Sequence, residues 1–261
     1  MDMDNVEFIW SNEAMKNENY WKIVMNVATH NSLQRIIRCS QIMGRDNVEE
    51  LKASQIFYPC MQCADIFYLK ADVTQLGMDQ RKVNVLAREV GEKLGFWKPV
   101  VVSHHMLAGL EHTSPVTAKI SAYKTDAINR TIQLKMSKSN PDTAIFMTDT
   151  PQNVQRKISK AFCPEKSNLE NPILEYNKYI LFEKLKKVKI ERPAKFGGDV
   201  EYKSYLEMEN DYMNAKLHPL DLKNATAKYI NEILEPTHKH FEKNAKARAL
   251  LEKVKSFEIT R

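Results

Sequence analysis

The sequence has few of the features that mark secreted or membrane-bound proteins. Its 4 cysteines in 261 residues are too few for a disulfide framework, which favours a reducing compartment. No stretch approaches the roughly 18 consecutive apolar residues of a membrane-spanning helix. The first residues are acidic, whereas a secretory leader begins with a basic region and an apolar run. We therefore expect a soluble cytoplasmic protein with no membrane partner.

Glycine is also scarce, with 7 residues, and 43% of the chain is hydrophobic. A chain of this length and composition can bury a substantial core, in one large domain or two smaller ones. The formal net charge of +6 permits a polyanionic partner such as RNA. A solvated, lysine-rich surface would give the same charge, so the charge alone does not identify a partner.

The pattern of apolar residues predicts an α/β region followed by a helical one. Val6–Trp10 has the composition of a strand, and 19–44 has helical spacing that ends at a glycine. The three valines within 98–107 predict a strand buried on both faces, so we expect a parallel sheet up to about residue 160. From Pro172 onward the spacing is helical, except for a loop or small hairpin around Pro193, Gly197 and Gly198.

The stretch "YPCMQCAD" contains the first candidate site. Tyr58, Gln62 and Asp65 stand at i, i+4 and i+7, so they share one helical face, and Pro59 is expected near the helix start. A phenol, an amide and a carboxylate on one face could hold a small ligand that carries an ammonium and a hydroxyl group. The alternative is an ordinary polar stripe beside apolar neighbours.

The stretch "QLGMDQRK" contains the second candidate site. A glycine-bearing turn precedes Asp79 and Gln80, and an acid on such a loop of an α/β sheet commonly accepts hydrogen bonds from ribose hydroxyls. The alternative is a helix start in which Asp79 serves as the N-cap and Arg81 and Lys82 are solvated.

The third candidate is "LKMSKSNPD", residues 134–142, in which Lys135 and Lys138 flank Met136 and Ser137. Lysine ammonium groups are compact mobile charges that suit phosphates. A lysine-rich surface loop is the other common reading of such a segment.

These segments together resemble the tyrosyl-tRNA synthetases of the eukaryotic and archaeal type. "KMSKS" resembles the signature loop of class I aminoacyl-tRNA synthetases, and "YPCMQCADIFYLKADVTQLGMDQRKVNVLARE", "SHHMLAGL", "AIFMTDT" and "HPLDLK" extend the similarity along nearly the whole chain. The resemblance implies part of a Rossmann-type catalytic domain with the signature loop in residues 1–164. It also implies an α-helical anticodon-binding domain in 165–261, ATP-dependent activation of L-tyrosine, transfer to tRNA(Tyr), and a homodimer.

The resemblance also implies a role for each matching residue. Tyr58, Gln62, Asp65 and Gln80 would hold tyrosine, with Asp65 on the substrate phenol and Gln80 on the amino-acid backbone. ATP would be held by the positions that match the family's nucleotide contacts: Asp79 near the ribose, Met106 and Leu107 near adenine, and the loop residues Lys135, Met136, Ser137, Lys138 and Ser139. Lys135 and Lys138 would stabilise the departing pyrophosphate in the transition state. Mg²⁺ is implied by the reaction, without a ligand cluster in the sequence.

Two departures from the family pattern lead to further expectations. The family's His-Ile-Gly-His type ATP signature does not occur in these 261 residues, and 111–133 is longer than the usual linker. We therefore expect the chain as given to activate tyrosine poorly. A non-catalytic, synthetase-derived module that binds tRNA or a protein, as the inactive half of a pseudo-dimer, is the alternative.

The remaining cysteines and histidines are given structural roles. Cys60 and Cys63 form a C-x-x-C without the second pair that a zinc site needs, so no metal site is expected there. His104 and His105 adjoin the valine-rich strand, and we expect them to be packed or hydrogen-bonded.

Overall fold

The computed structural model describes residues 3–40, 52–111, 136 and 140–257. The chain forms two compact units, and the described part of the first ends at Met106, whereas that of the second begins at Leu107. The predicted domain boundary at residues 164 and 165 stays a prediction. No helix of the described ranges is long and apolar enough to cross a membrane.

The first unit combines five α-helices with two strands over its described residues. In chain order they are α1 Ser11–Ala14, α2 Glu18–Thr29, α3 Leu33–Ser40, α4 Ala53–Tyr68, β1 Val73–Gly77, a 3₁₀ turn Met78–Gln80, α5 Arg81–Val90, a 3₁₀ turn Glu92–Leu94 and β2 Val100–His104. The predicted long helix over 19–44 is thus two helices, and its predicted end at Gly44 lies outside the described residues.

The two strands form a parallel pair; a parallel sheet was predicted, but β1 was not among the predicted strands. Val73 is in register with Val100, and Gly77 with His104, so the carboxyl ends of both strands meet at one edge. Helix α5 connects the strands and contacts both, which is the arrangement of a βαβ unit. The α/β class is therefore confirmed.

Two predictions about these strands are wrong. Val100 and Val102 are about half exposed, at 54% and 47%, so β2 is not buried on both faces. Val6–Trp10 is irregular instead of a strand, because a strand needs a neighbour to satisfy its backbone and no strand of the described chain pairs with it. Helix α1 does begin directly after this segment, at Ser11.

The predicted place of Pro59 at the helix start is also wrong. Helix α4 begins at Ala53, and the side chain of Gln55 accepts a hydrogen bond from the Lys52 backbone N–H at 2.9 Å. Pro59 lies inside the helix and is buried. Burial against α2, α3 and α5 stabilises a helix that one missing N–H donor would weaken.

Helix α4 lies at the centre of the core of the first unit. Its buried face, which includes Cys60, Cys63 and Phe67, packs against Val24 and Val27 of α2 and against residues of α5. The opposite face of the same helix carries the polar side chains of the candidate site. Amphipathic spacing in α4 therefore fixes where those side chains are presented.

The second unit is helical, with one small hairpin. Its described elements are a 3₁₀ turn Pro141–Thr143, α6 Pro151–Lys160, α7 Pro172–Tyr176 continuing through a π-helical turn Asn177–Leu181 to Phe182–Lys184, β3 Val188–Ile190, a 3₁₀ turn Ala194–Phe196, β4 Val200–Tyr202, α8 Tyr205–Met213, α9 Pro219–Lys243 and α10 Ala245–Lys255. The predicted helical character after residue 172 is confirmed. Strands β3 and β4 pair antiparallel, and Gly197 and Gly198 adopt positive φ in their connection, so the predicted hairpin is confirmed as well.

Three of these helices begin with the same local signal, a capping residue followed by proline. The side chains of Thr150, Asn171 and His218 each accept a backbone N–H in the first turn of α6, α7 and α9. Proline at the first helical position loses no hydrogen bond there. These starts are therefore encoded in the sequence.

A buried ion pair joins α6 to the segment before it. Lys157 is 4% exposed, and its Nζ lies 2.7 Å from Asp149 Oδ2 and 2.9 Å from the Ala144 carbonyl oxygen. Asp149 Oδ2 also accepts the Phe146 backbone N–H at 2.8 Å. Asp149 and Ala144 follow the KMSKS motif closely in sequence, so this pair fixes the described segment between that motif and α6.

Candidate active site

The polar face of α4 meets the turn after β1 in the first unit. Gln62 Nε2 donates a hydrogen bond to Gln80 Oε1 at 2.9 Å, across 18 residues of sequence. Gln62 Oε1 is buried, and no partner for it lies within the described part of the chain. A buried acceptor without a donor is costly in a folded protein and indicates a place for a ligand donor or an ordered water molecule.

Asp65 lies one helical turn beyond Gln62, as the spacing predicts. Its Oδ1 accepts a hydrogen bond from the Tyr20 hydroxyl at 2.9 Å. Burial raises the pKa of the Asp65 carboxyl, and the hydrogen bond from Tyr20 acts against that rise. Tyr58, the third residue of this face, is half exposed.

Sequence reasoning did not identify Tyr20. It lies 45 residues before Asp65, on α2, where its spacing is that of an ordinary core residue. Only the packing of α2 against α4 brings the phenol to the carboxylate, so no local motif could have revealed the pair.

The second group of polar residues surrounds Gly77, where β1 ends. A Cβ atom at Gly77 would lie 2.7 Å from Asp79 Oδ1 and 3.4 Å from Met106 Cγ. The two predicted nucleotide contacts in this unit thus both lie beside Gly77, where an added Cβ would displace the Asp79 carboxylate. Ligands of open α/β sheets bind at this edge, beyond the carboxyl ends of the strands.

His104 reaches the same edge from β2. Its Nδ1 is 3.2 Å from Gln75 Nε2, and its Nε2 would be 3.7 Å from a Cβ at Gly77. The residue is exposed and hydrogen-bonded, which agrees with the expectation that it is packed or hydrogen-bonded. The sequence did not predict that His104 lies near Asp79.

The other predicted nucleotide contacts belong to the second unit. Leu107 and Met136 are partly buried and pack against its hydrophobic core. Lys135, Ser137, Lys138 and Ser139 lie outside the described residues. Their predicted roles, like those of the residues in the first unit, stay predictions.

No metal-binding group is evident among the residues the structure covers, since no three His, Cys, Asp or Glu side chains there are placed to hold an ion. Cys60 and Cys63 are buried free thiols. Burial raises the pKa of Cys60 to about 11, which keeps its thiol protonated at neutral pH.

The second unit has a cavity of about 400 Å³ beside the β3–β4 connection. Six of the side chains that line it are Arg192, Phe196, Lys216, His218, Leu220 and Asp221. The guanidinium of Arg192 is fixed by hydrogen bonds to the carbonyl oxygens of Gly198 and Lys216, at 2.9 and 2.8 Å. Phe196 is 61% exposed, an unusual state for an aromatic ring that serves only as packing.

The comparisons with known proteins identify tRNA synthetases as relatives of this chain. The family model described as tRNA synthetases class I (W and Y) matches residues 1–235. Tyrosine–tRNA ligase 1, cytoplasmic, of Arabidopsis thaliana is 47% identical over 264 residues, covering 100% of this chain and 64% of that protein. Tyrosine–tRNA ligase of Thermococcus sibiricus is 41% identical over 272 residues, covering 100% of this chain and 70% of that protein.

The structural comparison agrees. The crystal structure of tyrosyl-tRNA synthetase from Pyrococcus horikoshii, complexed with L-tyrosine, superposes with a TM-score of 0.86 at 39% identity, over 97% of this chain and 70% of that one. The chain thus spans about two thirds of the length of these relatives, and 33% of the length of a second Arabidopsis ligase. With most of its length matched by the family model and by these relatives, the chain belongs to the class I tRNA synthetases of the tryptophan and tyrosine type.

Proposed function

We propose that this protein is a tyrosine–tRNA ligase, which activates L-tyrosine with ATP and transfers it to tRNA(Tyr). The observation that carries the proposal is the face of α4, where the Asp65 carboxylate and the unpartnered, buried Gln62 Oε1 lie one helical turn apart. Relatives named tyrosine–tRNA ligase match the chain along its whole length, which supports the same substrate.

Each acceptor on this face fits one end of tyrosine. Asp65 accepts a hydrogen bond from the substrate phenol, and phenylalanine would leave the second oxygen of that partly buried carboxylate without a donor. Gln62 and Gln80, already linked to each other, receive the ammonium group, which supplies the donor that Gln62 Oε1 lacks. Tyr58, at the exposed end of the face, closes over the amino-acid backbone.

ATP binds at the strand edge. Asp79 accepts from the ribose hydroxyls, while Met106 and Leu107 line the adenine. The substrate carboxylate attacks the α-phosphorus in line, so no protein nucleophile is required. Lys135 and Lys138 neutralise charge on the departing pyrophosphate, and Met136, Ser137 and Ser139 of the same motif are the remaining ATP contacts that the resemblance implies. Mg²⁺ bound with ATP would supply further positive charge at the phosphates, and no group of ligands for it is found among the described residues.

The second unit contacts tRNA. Its cavity combines an exposed ring, Phe196, with the imidazole of His218 and two cationic side chains. Single-stranded RNA bases that are splayed out of their stack are held by aromatic faces and by cations on the neighbouring phosphates. An anticodon loop presents such bases.

The proposal includes a homodimer. It also includes a location in the cytoplasm, which the name of the Arabidopsis relative gives for that protein. Sedimentation of the purified protein, and microscopy of a tagged form in its host, would check these two points.

Pyrophosphate exchange with the full chain tests the catalytic proposal. We expect exchange at a low rate, as the sequence predicts for these 261 residues, that depends on L-tyrosine, is far weaker with L-phenylalanine and loses this preference in Asp65→Ala. Asp72→Ala is the matched control, because Asp72 is an acid of the same unit outside the α4 face. No binding of L-tyrosine in calorimetry, together with tight tRNA binding, would favour the non-catalytic module instead.

Binding of transcribed tRNA(Tyr) tests the role of the second unit. We expect Phe196→Ala to weaken binding by roughly tenfold, the loss of one stacked base. Leu206→Ala serves as the control, since Leu206 is equally exposed but lies on α8, outside the cavity. Equal effects of the two substitutions would contradict a specific role for the cavity.

A further inference from the structure

The Tyr20 hydroxyl is aimed at the carboxylate that is proposed to read the substrate phenol. Tyr20 is 2% exposed, and its hydroxyl lies 2.9 Å from Asp65 Oδ1. The same hydroxyl is 3.4 Å from the Met61 carbonyl oxygen. A phenol has one proton to donate, and the shorter contact, to a charged acceptor, is the stronger of the two.

The ring of Tyr20 is held independently of this hydrogen bond. It packs edge-on against Tyr68 of α4 and against Trp21, with ring centroids 5.4 and 5.8 Å apart. The hydroxyl therefore approaches Asp65 from a fixed direction. Burial and the neighbouring carboxylate raise the pKa of Tyr20, so the hydroxyl keeps its proton and remains a donor at neutral pH.

The consequence for Asp65 is geometric. A carboxylate has two oxygens and a rotatable χ2, so an unrestrained Asp65 would present either oxygen in several directions. The hydrogen bond to Oδ1 fixes the carboxylate plane. Oδ2 makes no hydrogen bond to any described residue and is left to accept a second phenol.

We propose that Tyr20 is a positioning residue for the recognition of tyrosine: it fixes the Asp65 carboxylate so that its second oxygen accepts the hydroxyl of the substrate. Tyr20 acts through Asp65, without contact to the reacting atoms. This inference rests on the proposed function, and it adds to that function a determinant of the preference for tyrosine over phenylalanine.

Calorimetry of L-tyrosine and L-phenylalanine binding to the full chain tests the inference. We expect Tyr20→Phe, which keeps the packed ring, to lower the tyrosine-to-phenylalanine affinity ratio by about tenfold, the size of one charge-assisted hydrogen bond. Phenylalanine affinity itself should stay unchanged. Tyr68→Phe is the matched control, because Tyr68 packs against the ring of Tyr20 and its hydroxyl makes no hydrogen bond to Asp65, so its ratio should equal that of the wild type.

An Asp65→Ala background provides the second arm, because alanine has no oxygen for Tyr20 to bond. Since Tyr20 acts through Asp65, adding Tyr20→Phe to Asp65→Ala should cause no further loss in the ratio. Thermal unfolding of each variant shows whether the first unit is intact.

The outcomes separate the inference from the function on which it rests. A wild-type ratio well above one, reduced in Tyr20→Phe alone, supports the inference. A high wild-type ratio that Tyr20→Phe leaves unchanged, or equal loss of affinity for both amino acids, overturns the inference and leaves the proposed function standing. A wild-type ratio near one overturns the proposed function, and the inference with it.

Discussion

Removal of Asp149 should destabilise the second unit more than any exposed charge does. The Lys157 ammonium is 4% exposed, and Asp149 Oδ2 is the only carboxylate bonded to it within the described residues. In Asp149→Ala the ammonium keeps the Ala144 carbonyl oxygen and the face of the Phe146 ring, whose centroid is 4.7 Å from Nζ. A buried charge that loses its partner costs about 3–5 kcal/mol.

The expected change in melting temperature follows from that free energy. For a unit of this size each kcal/mol corresponds to about 2–4 °C, so the melting temperature should fall by roughly 6–20 °C. The double variant Asp149→Ala with Lys157→Met removes both charges, and we expect it to be more stable than Asp149→Ala alone. Such recovery would distinguish a stranded charge from a simple loss of packing.

The neighbouring residue supplies the control. Arg156 also lies on α6 and forms an ion pair with Asp142, but the two side chains are 42% and 29% exposed. Because exposed pairs contribute about 0–1 kcal/mol, Arg156→Ala should have a small effect. A loss in Asp149→Ala no greater than that in Arg156→Ala would refute the reasoning.

The assay can distinguish the two units. The three tryptophans, Trp10, Trp21 and Trp97, all belong to the first unit, so urea unfolding followed by tryptophan fluorescence reports on that unit. Circular dichroism at 222 nm reports on the helices of both. The destabilisation should therefore be larger in the dichroism transition.

Three further predictions concern the first unit. Asn84 is fully buried, and neither its amide oxygen nor its amide nitrogen has a partner in the described part of the chain. Asn84→Leu should therefore raise the free energy of unfolding, measured in urea, by about 1–3 kcal/mol. A loss of stability would contradict this. Burial raises the pKa of Asp65 above its unfolded value, so its contribution to stability is present at low pH and is lost as pH rises through the folded pKa. Asp65→Asn should therefore raise the melting temperature more at pH 7 than at pH 3, and equal shifts at both would count against the burial argument. A Cβ at Gly91 would overlap the backbone carbonyl oxygen of Trp97, which has no freedom to rotate away, so Gly91→Ala should lower the melting temperature. Gly95→Ala is the control, because a Cβ there meets no other atom and the variant loses only the stability that a positive φ costs alanine.

The sequence alone determined the family, the fold class and the local geometry of single elements. Helical spacing was sufficient to place Gln62 and Asp65 one turn apart on one face, because that relation depends only on the 3.6-residue repeat. The starts of α6, α7 and α9 were equally local, since a capping residue and a proline act within one turn. The parallel class of the sheet was predicted from the alternation of strands and helices, although β1 itself was not recognised as a strand.

The tertiary structure decided every relation that depends on which elements pack together. The hydrogen bond from Tyr20 to Asp65 spans 45 residues, and that from Gln62 to Gln80 spans 18, so neither is encoded in a local pattern. The exposure of side chains also depends on tertiary structure. Three valines in a row predicted a strand covered on both faces, yet Val100 and Val102 are half exposed. Burial depends on neighbouring elements, which the sequence of one strand does not specify. Likewise, the sequence predicts that Lys157 is a solvated lysine on an amphipathic helix. Its side chain is buried because the segment before α6 folds around the ammonium group.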